Sequence, residues 1–263
     1  MDLGLSGAVV AVTGGTSGIG LATARAFLME GADVAICGRN EERLQQAHQK
    51  LAAEFAAKGI MAQRCDVTKA EDTRAFAQAV EGWRGGADVL INNAGQGRMS
   101  TFASTSDDEW RAELELKYFS QIYPVRAFLP MLEKSQRAAI VAVNSLLAYQ
   151  PEPYMVCTSS ARAGVQSLLK SLATEFAGRI RVNSVVLGLI DSGQWQRRFE
   201  AREDKNQSRD DWIAQLAKSK HIPFGRLGKP EEVARAIVFL ASSQVAYITG
   251  ASLEISGGVS RYI

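Results

Sequence analysis

Short, nearly continuous apolar runs recur along the chain at residues 8–13, 33–37, 61–64, 89–92, 138–143, 181–187 and 252–255. A strand with one wet face alternates apolar and polar side chains, whereas continuous runs belong to strands covered on both faces. Between them lie longer stretches, 18–30, 41–58, 70–81, 107–133, 158–175 and 230–240, which read as helices. This alternation predicts an α/β fold, a doubly wound parallel sheet with right-handed crossovers. No repeat or low-complexity linker divides the sequence, so residues 1–263 are read as a single domain. Residues 193–222 break the pattern, carrying Trp195, Arg197, Arg198, Arg202, Lys205, Arg209 and Trp212 before the last helix. An insertion at that point is a substrate lid or a solvated helical excursion, and both readings stand.

The chain of 263 residues is 46% apolar and 22% charged, with a net charge of +2. That balance gives no electrostatic case for nucleic acid or a membrane surface. No apolar run is long enough to span a bilayer, and the N-terminus lacks a basic segment followed by an apolar core. Cys37, Cys65 and Cys157 are too scattered for a disulfide framework or a metal site, and read as packing residues. A cytoplasmic protein with a small-molecule substrate and no metal is expected.

The first apolar run leads into Thr13-Gly14-Gly15-Thr16-Ser17-Gly18-Ile19-Gly20, and a helical stretch follows. Strand, glycine turn and helix together present backbone N–H groups and a positive dipole end to a pyrophosphate. Gly14 suits the tight turn, while Gly18 and Gly20 allow close approach of ligand and strand. Gly38 stands 20 residues after Gly18, where an acid would hold the ribose hydroxyls of NAD. Arg39 follows and offers a permanently charged fork for a 2′-phosphate. NADP(H) is therefore expected over NAD(H).

These motifs, with Asn92-Asn93-Ala94-Gly95 after the fourth run and Ser145 after the fifth, resemble the short-chain dehydrogenase/reductase family from Ser6 to Gly258. The resemblance implies a Rossmann-like fold in which Asp66 and Val67 meet the adenine. Asn93, Ala94 and Gly95 would pass under the adenine-side ribose. Gly188, Ile190 and Ser192 would line the nicotinamide end, with the Ser192 hydroxyl on the carboxamide. It also implies a homodimer or homotetramer, with the fourth and fifth helices forming one interface. Asp66 has a second reading, as N-cap of the helix beginning near Lys69.

The reaction centre departs from the family. Ser145 matches the serine that holds the substrate carbonyl, but Thr158 and Arg162 stand where the family has Tyr and Lys. An aliphatic hydroxyl can orient or relay a proton but hardly supply one, and arginine does not cycle protons. Arg162 can still hold cofactor ribose hydroxyls or an oxyanion. Lys117, seven residues after Trp110, falls at the family's relay asparagine. There it is either a proton donor with a lowered pKa or a plain partner of Glu113. Tyr154 is a further candidate acid if the fifth helix begins early at Pro153, and otherwise a pocket wall with Glu152 and Met155. His48 and His221 have no evident role.

An NADP(H)-dependent oxidoreductase acting on a carbonyl or alcohol is the first reading. Two alternatives remain. One is a non-redox enzyme of dehalogenase or lyase type, since halohydrin dehalogenases carry a Ser-Tyr-Arg centre but lack the glycine turn. The other is a non-catalytic NADP(H) sensor. Arg197, Arg198 and Arg202 in the lid hint at an anionic group.

Overall fold

The apolar runs form parallel strands: β1 (Val9–Thr13), β2 (Asp33–Gly38), β3 (Ile60–Arg64), β4 (Val89–Asn92), β5 (Ala139–Ser145), β6 (Arg181–Leu187) and β7 (Ser252–Ile255). A computed structural model of the chain describes residues 2–55, 59–202 and 205–262, apart from the side chains of Gln194 and Arg197. The sheet order is β3-β2-β1-β4-β5-β6-β7. In register, Val10 pairs with Val34 on one side and Val89 on the other, so β1 is central.

Continuous apolarity in the strands has a direct cause, because successive side chains enter opposite cores. Val10 and Val12 face a core closed by Phe27 of α1 (Gly18–Met29), Leu44 of α2 (Glu41–Glu54) and Ile237 of α8 (Pro230–Ala241). Val9 and Ala11 face a second core, closed by α3 (Ala70–Arg84), α4 (Asp107–Leu132) and α5 (Val156–Glu175). There Phe76 and Phe128 meet edge to face at 5.5 Å, both fully buried. Burying each such ring stabilises the fold by about 1.5–3 kcal/mol. Helices therefore cover both faces of a single-domain α/β sheet.

Sheet order reverses at β1, where the chain departs to β2 on one side and returns to β4 on the other. Crevices open beyond the carboxyl ends of strands at such a point. The helix expected over 41–58 ends at Glu54, and residues 56–58 lie outside the described residues. The α3 helix runs on to Arg84 and stops at Gly85, whose φ of 76° is the left-handed conformation glycine allows. Residues 193–222 fold as α6 (Gly193–Glu200) and α7 (Arg209–Ser219), the latter capped by Ser208. These helices close a small core of their own around Ala217, Ile222 and Leu227, with Trp195 against it.

Candidate active site

A cleft of about 850 Å³ runs across the carboxyl ends of the strands. At its nucleotide end, Gly14 and Gly18 hold φ of 66° and 53°, the left-handed region that favours glycine. Gly20 is required by close approach, since a Cβ there would lie 2.2 Å from the Gly14 carbonyl oxygen. Asn93 braces the turn, its Nδ2 donating to the Thr13 and Gly14 carbonyls at 2.9 and 3.1 Å. The Thr13 hydroxyl accepts from the backbone N–H groups of Asn93 and Ala94.

Helix α1 starts at Ser17 with no side-chain cap, so its first N–H groups are left for a ligand. Gly18 faces open space, the nearest atom to a Cβ there being Ser192 Cβ at 3.9 Å. An uncapped helix start beside an open glycine fits a pyrophosphate. Thr16, Ser17, Ile19, Arg39, Val67, Gly95, Gly188 and Ile190 line the same cleft.

Arg43, which the sequence reading missed, lines the cleft with Arg39 four residues before it. The signal was its place in the first turn of α2, at the same helix end that Arg39 precedes. Gly38 carries a further constraint, because a Cβ there would lie 2.5 Å from Thr16 Cγ2. Burial raises the Asp66 carboxyl pKa, but bonds from the Thr68 hydroxyl and N–H and the Arg39 charge outweigh it and hold the group low. Asp66 does not cap α3; Lys69 holds that position, and Asp66 closes a turn onto Thr68 instead.

At the other end, β5 delivers Ser145 to the cleft. Its Oγ donates to the Leu187 carbonyl at 3.4 Å and accepts from the Leu147 N–H at 3.3 Å. Both bonds are long, which leaves the hydroxyl free to re-aim at a ligand. Thr158 and Arg162 lie one turn apart on α5, and both line the cleft. Arg162 Nη1 donates to the Val143 carbonyl at 2.8 Å, while its buried Nε has no hydrogen-bond partner. Burial pushes the Arg162 pKa down to about 10 against the pull of the Glu113 charge. Asn144 ties the strand to this helix turn, donating to the Arg162 carbonyl at 3.2 Å.

Lys117 does not line the cleft but lies behind its wall. Its Nζ donates to the carbonyl of Gln96, a lining residue, at 2.6 Å and meets Glu113 Oε1 at 2.8 Å. The Thr158 hydroxyl donates to that same oxygen. Cleft, Thr158, Glu113 and Lys117 are thus joined in one buried chain. Burial and then the Arg162 charge lower the Lys117 pKa, opposed by the bond to Glu113. In the sequence Glu113 reads only as a partner for Lys117, because nothing local shows that both point into the protein.

Other expectations are corrected. Helix α5 begins at Val156, so Tyr154 is off the helix, 63% exposed and not a cleft residue. Glu152 and Met155 do line the cleft. His221, read as inert, also lines it and holds a φ of 53°. Arg202 is not free for a ligand, since it donates to the carbonyls of Phe199, Lys205 and Gln207. The side chain of Arg197 lies outside the described residues.

Comparison with known proteins places the chain among nicotinamide-nucleotide-dependent oxidoreductases. The family profile described as "Enoyl-(Acyl carrier protein) reductase" matches residues 14–260. A 3-oxoacyl-[acyl-carrier-protein] reductase of Chlamydia muridarum is 33% identical, over 95% of this chain and 96% of that one. Among solved structures, an NADPH-bound short chain oxidoreductase from Pseudomonas aeruginosa PAO1 superposes with a TM-score of 0.92 at 56% identity. The match covers 97% of this chain and 98% of that one, which is described as containing an atypical catalytic center. L-Sorbose reductase from Gluconobacter frateurii, solved with NADPH and L-sorbose, gives 0.93 at 32% identity with full coverage of both chains.

Proposed function

The chain belongs to the short-chain dehydrogenase/reductase family, and from that premise we propose an NADP(H)-dependent oxidoreductase of a carbonyl or alcohol with a non-standard proton donor. One observation carries the reading: the buried Thr158–Glu113–Lys117 chain ends at the cleft that Ser145 also lines. Two similar proteins were solved with NADPH bound, which supports the cofactor. Arg39 and Arg43 supply the charge for a 2′-phosphate.

The bound nicotinamide supplies the hydride. Ser145 swings its hydroxyl from the Leu187 carbonyl to the substrate carbonyl and polarises it. As charge develops on that oxygen, Thr158 turns its proton from Glu113 to it, and Glu113 passes to Thr158 a proton taken from the Lys117 ammonium, leaving a neutral amine. A threonine hydroxyl alone is too weak an acid, so the relay is concerted and the lysine is the source. Arg162, which lines the cleft, holds a fixed positive charge beside the centre for a ribose or the developing oxyanion. In this reading residues 193–222 close over a small-molecule substrate, and the protein acts as a homodimer or homotetramer.

Thr158→Val tests the relay, because it removes the hydroxyl while keeping the shape. The expected result is a kcat lower by roughly 10²–10⁴-fold with unchanged NADPH affinity. Unchanged turnover would remove the relay. Tight NADPH binding without oxidation by any carbonyl would instead favour a sensor.

A further inference from the structure

The lid and C-terminal segment carry many basic side chains, and they divide into two groups. Of those that do not line the cleft, Arg202, Lys205, Arg209 and Arg226 have partners, and Lys218 is exposed on the last turn of α7. Arg209 pairs with Asp191 at 2.5 Å, Arg202 serves backbone carbonyls, and Lys205 donates to the Glu200 carbonyl at 2.6 Å. Arg226 pairs with Glu232 at 2.7 Å. By contrast Arg198, Lys220 and Arg261 line the cleft, and among the described residues none forms an ion pair.

These three come from separate elements that are held together. Arg198 stacks on the Trp195 ring at 4.7 Å, which fixes the guanidinium without neutralising it. Trp195 and Val259 pack on the same small lid core, drawing the C-terminal segment to the lid. The Arg261 N–H then donates to Gln150 Oε1 at 3.0 Å, on the loop that leaves Ser145. Lys220 stands beside His221, whose left-handed backbone is a strain that persists where the surroundings over-determine it. The only carboxylate lining the cleft away from the adenine end, among the described residues, is Glu152. Three unpaired cations thus line this part of the cleft with one carboxylate.

The geometry points to an anion subsite: the substrate is an oxo compound bearing a carboxylate or phosphate, held by Arg198, Lys220 and Arg261 while its carbonyl meets Ser145. This rests on the oxidoreductase reading and names the substrate class for that site. Arg198 is half-buried while Lys220 and Arg261 stand exposed at the cleft mouth, and a cluster of one sign at the mouth of a cleft raises the local concentration of an anion.

The test is calorimetric titration of the NADP⁺-loaded protein with two matched pairs. One is dihydroxyacetone phosphate against dihydroxyacetone, and the other is 4-oxopentanoate against its methyl ester. The anionic member of at least one pair is expected to bind about tenfold tighter or more, the scale of one charge-assisted hydrogen bond. Which pair responds distinguishes phosphate from carboxylate. The triple change Arg198→Ala, Lys220→Ala, Arg261→Ala should bring that ratio to near one. Equal or tighter binding of both neutral members overturns the subsite. So does an NADPH affinity that collapses in Arg198→Ala alone, which would assign that arginine to the cofactor's phosphates. NADPH oxidation, followed separately by absorbance, tests only the reductase reading. Selective binding without oxidation would sink that reading and leave the subsite in place.

Discussion

Lys117 and Glu113 form the only ion pair among the described residues with both side chains buried, Nζ to Oε1 at 2.8 Å and 2% and 4% exposed. Every other pair has at least one partner open to water. A buried pair of this kind gives little net stability, because desolvation offsets the attraction. In the proposed relay, its place next to Thr158 and Arg162 gives the pair a use that stability alone does not.

Breaking that pair has an asymmetric consequence. Glu113→Gln leaves Lys117 and Arg162 facing each other, and should destabilise by about 3–5 kcal/mol. Lys117→Met should cost less, since Glu113 keeps Thr158 and the Arg162 charge. The double change Glu113→Leu, Lys117→Met should regain most of the stability but not the turnover. Chemical denaturation of the four proteins without cofactor measures the cycle, and equal effects of the two single changes would contradict it.

The pH profile follows from the direction of the Lys117 shift. Burial and Arg162 lower its pKa below the ordinary lysine range. In the proposed relay carbonyl reduction needs the ammonium form, so kcat should fall as pH rises through the lowered value, and alcohol oxidation should rise. The same shift acts on stability. The cost of the buried ammonium is fully present below the folded-state pKa and is relieved between that value and the ordinary lysine range. Lys117→Met should abolish the kinetic limb. A limb that persists in that variant would assign it to another group.

Arg39 and Arg43 should set cofactor choice together. Arg39→Ala and Arg43→Ala are each expected to weaken NADPH binding by roughly tenfold, and to leave NADH binding nearly unchanged. Calorimetry at two salt concentrations reads both effects. Native affinity for NADH equal to that for NADPH would refute the assignment. Gly38→Asp is a poor route to NAD use here, because its Cβ would collide with Thr16 Cγ2.

Gly20→Ala should damage the nucleotide turn itself. The new Cβ meets the Gly14 carbonyl and Asn93 Nδ2 at 2.2 and 2.5 Å, and backbone cannot yield as a side chain can. Overpacking of this kind costs about 1–3 kcal/mol, and NADPH affinity should drop with it. Thermal melting with and without NADPH checks both; a variant with native melting and native affinity would show that the turn has slack.

Much of this protein was legible in the chain. Continuous apolar runs specified strands buried on both faces, and Val10 and Val12 do enter one core while Val9 and Ala11 enter the other. The glycine turn was legible because it is local: Gly14, Gly18 and Gly20 need only their own neighbours to define a shape. Helix ends were less secure, as at Val156, where the sequence allows Pro153 or Thr158 and packing selects the start. Only the tertiary structure decided the reaction centre. Whether Lys117 reaches solvent or the interior depends on how α4 is rotated against α5, a long-range packing outcome. At Gly164 a Cβ would lie 1.7 Å from the Tyr118 hydroxyl, so the Tyr118 side chain of α4 fills the space that a side chain there would take. That contact, 46 residues apart in sequence, accompanies the burial of Glu113 and Lys117 beneath Thr158. Periodicity reports which side of an element is apolar, but only the packed fold reports which buried charges meet.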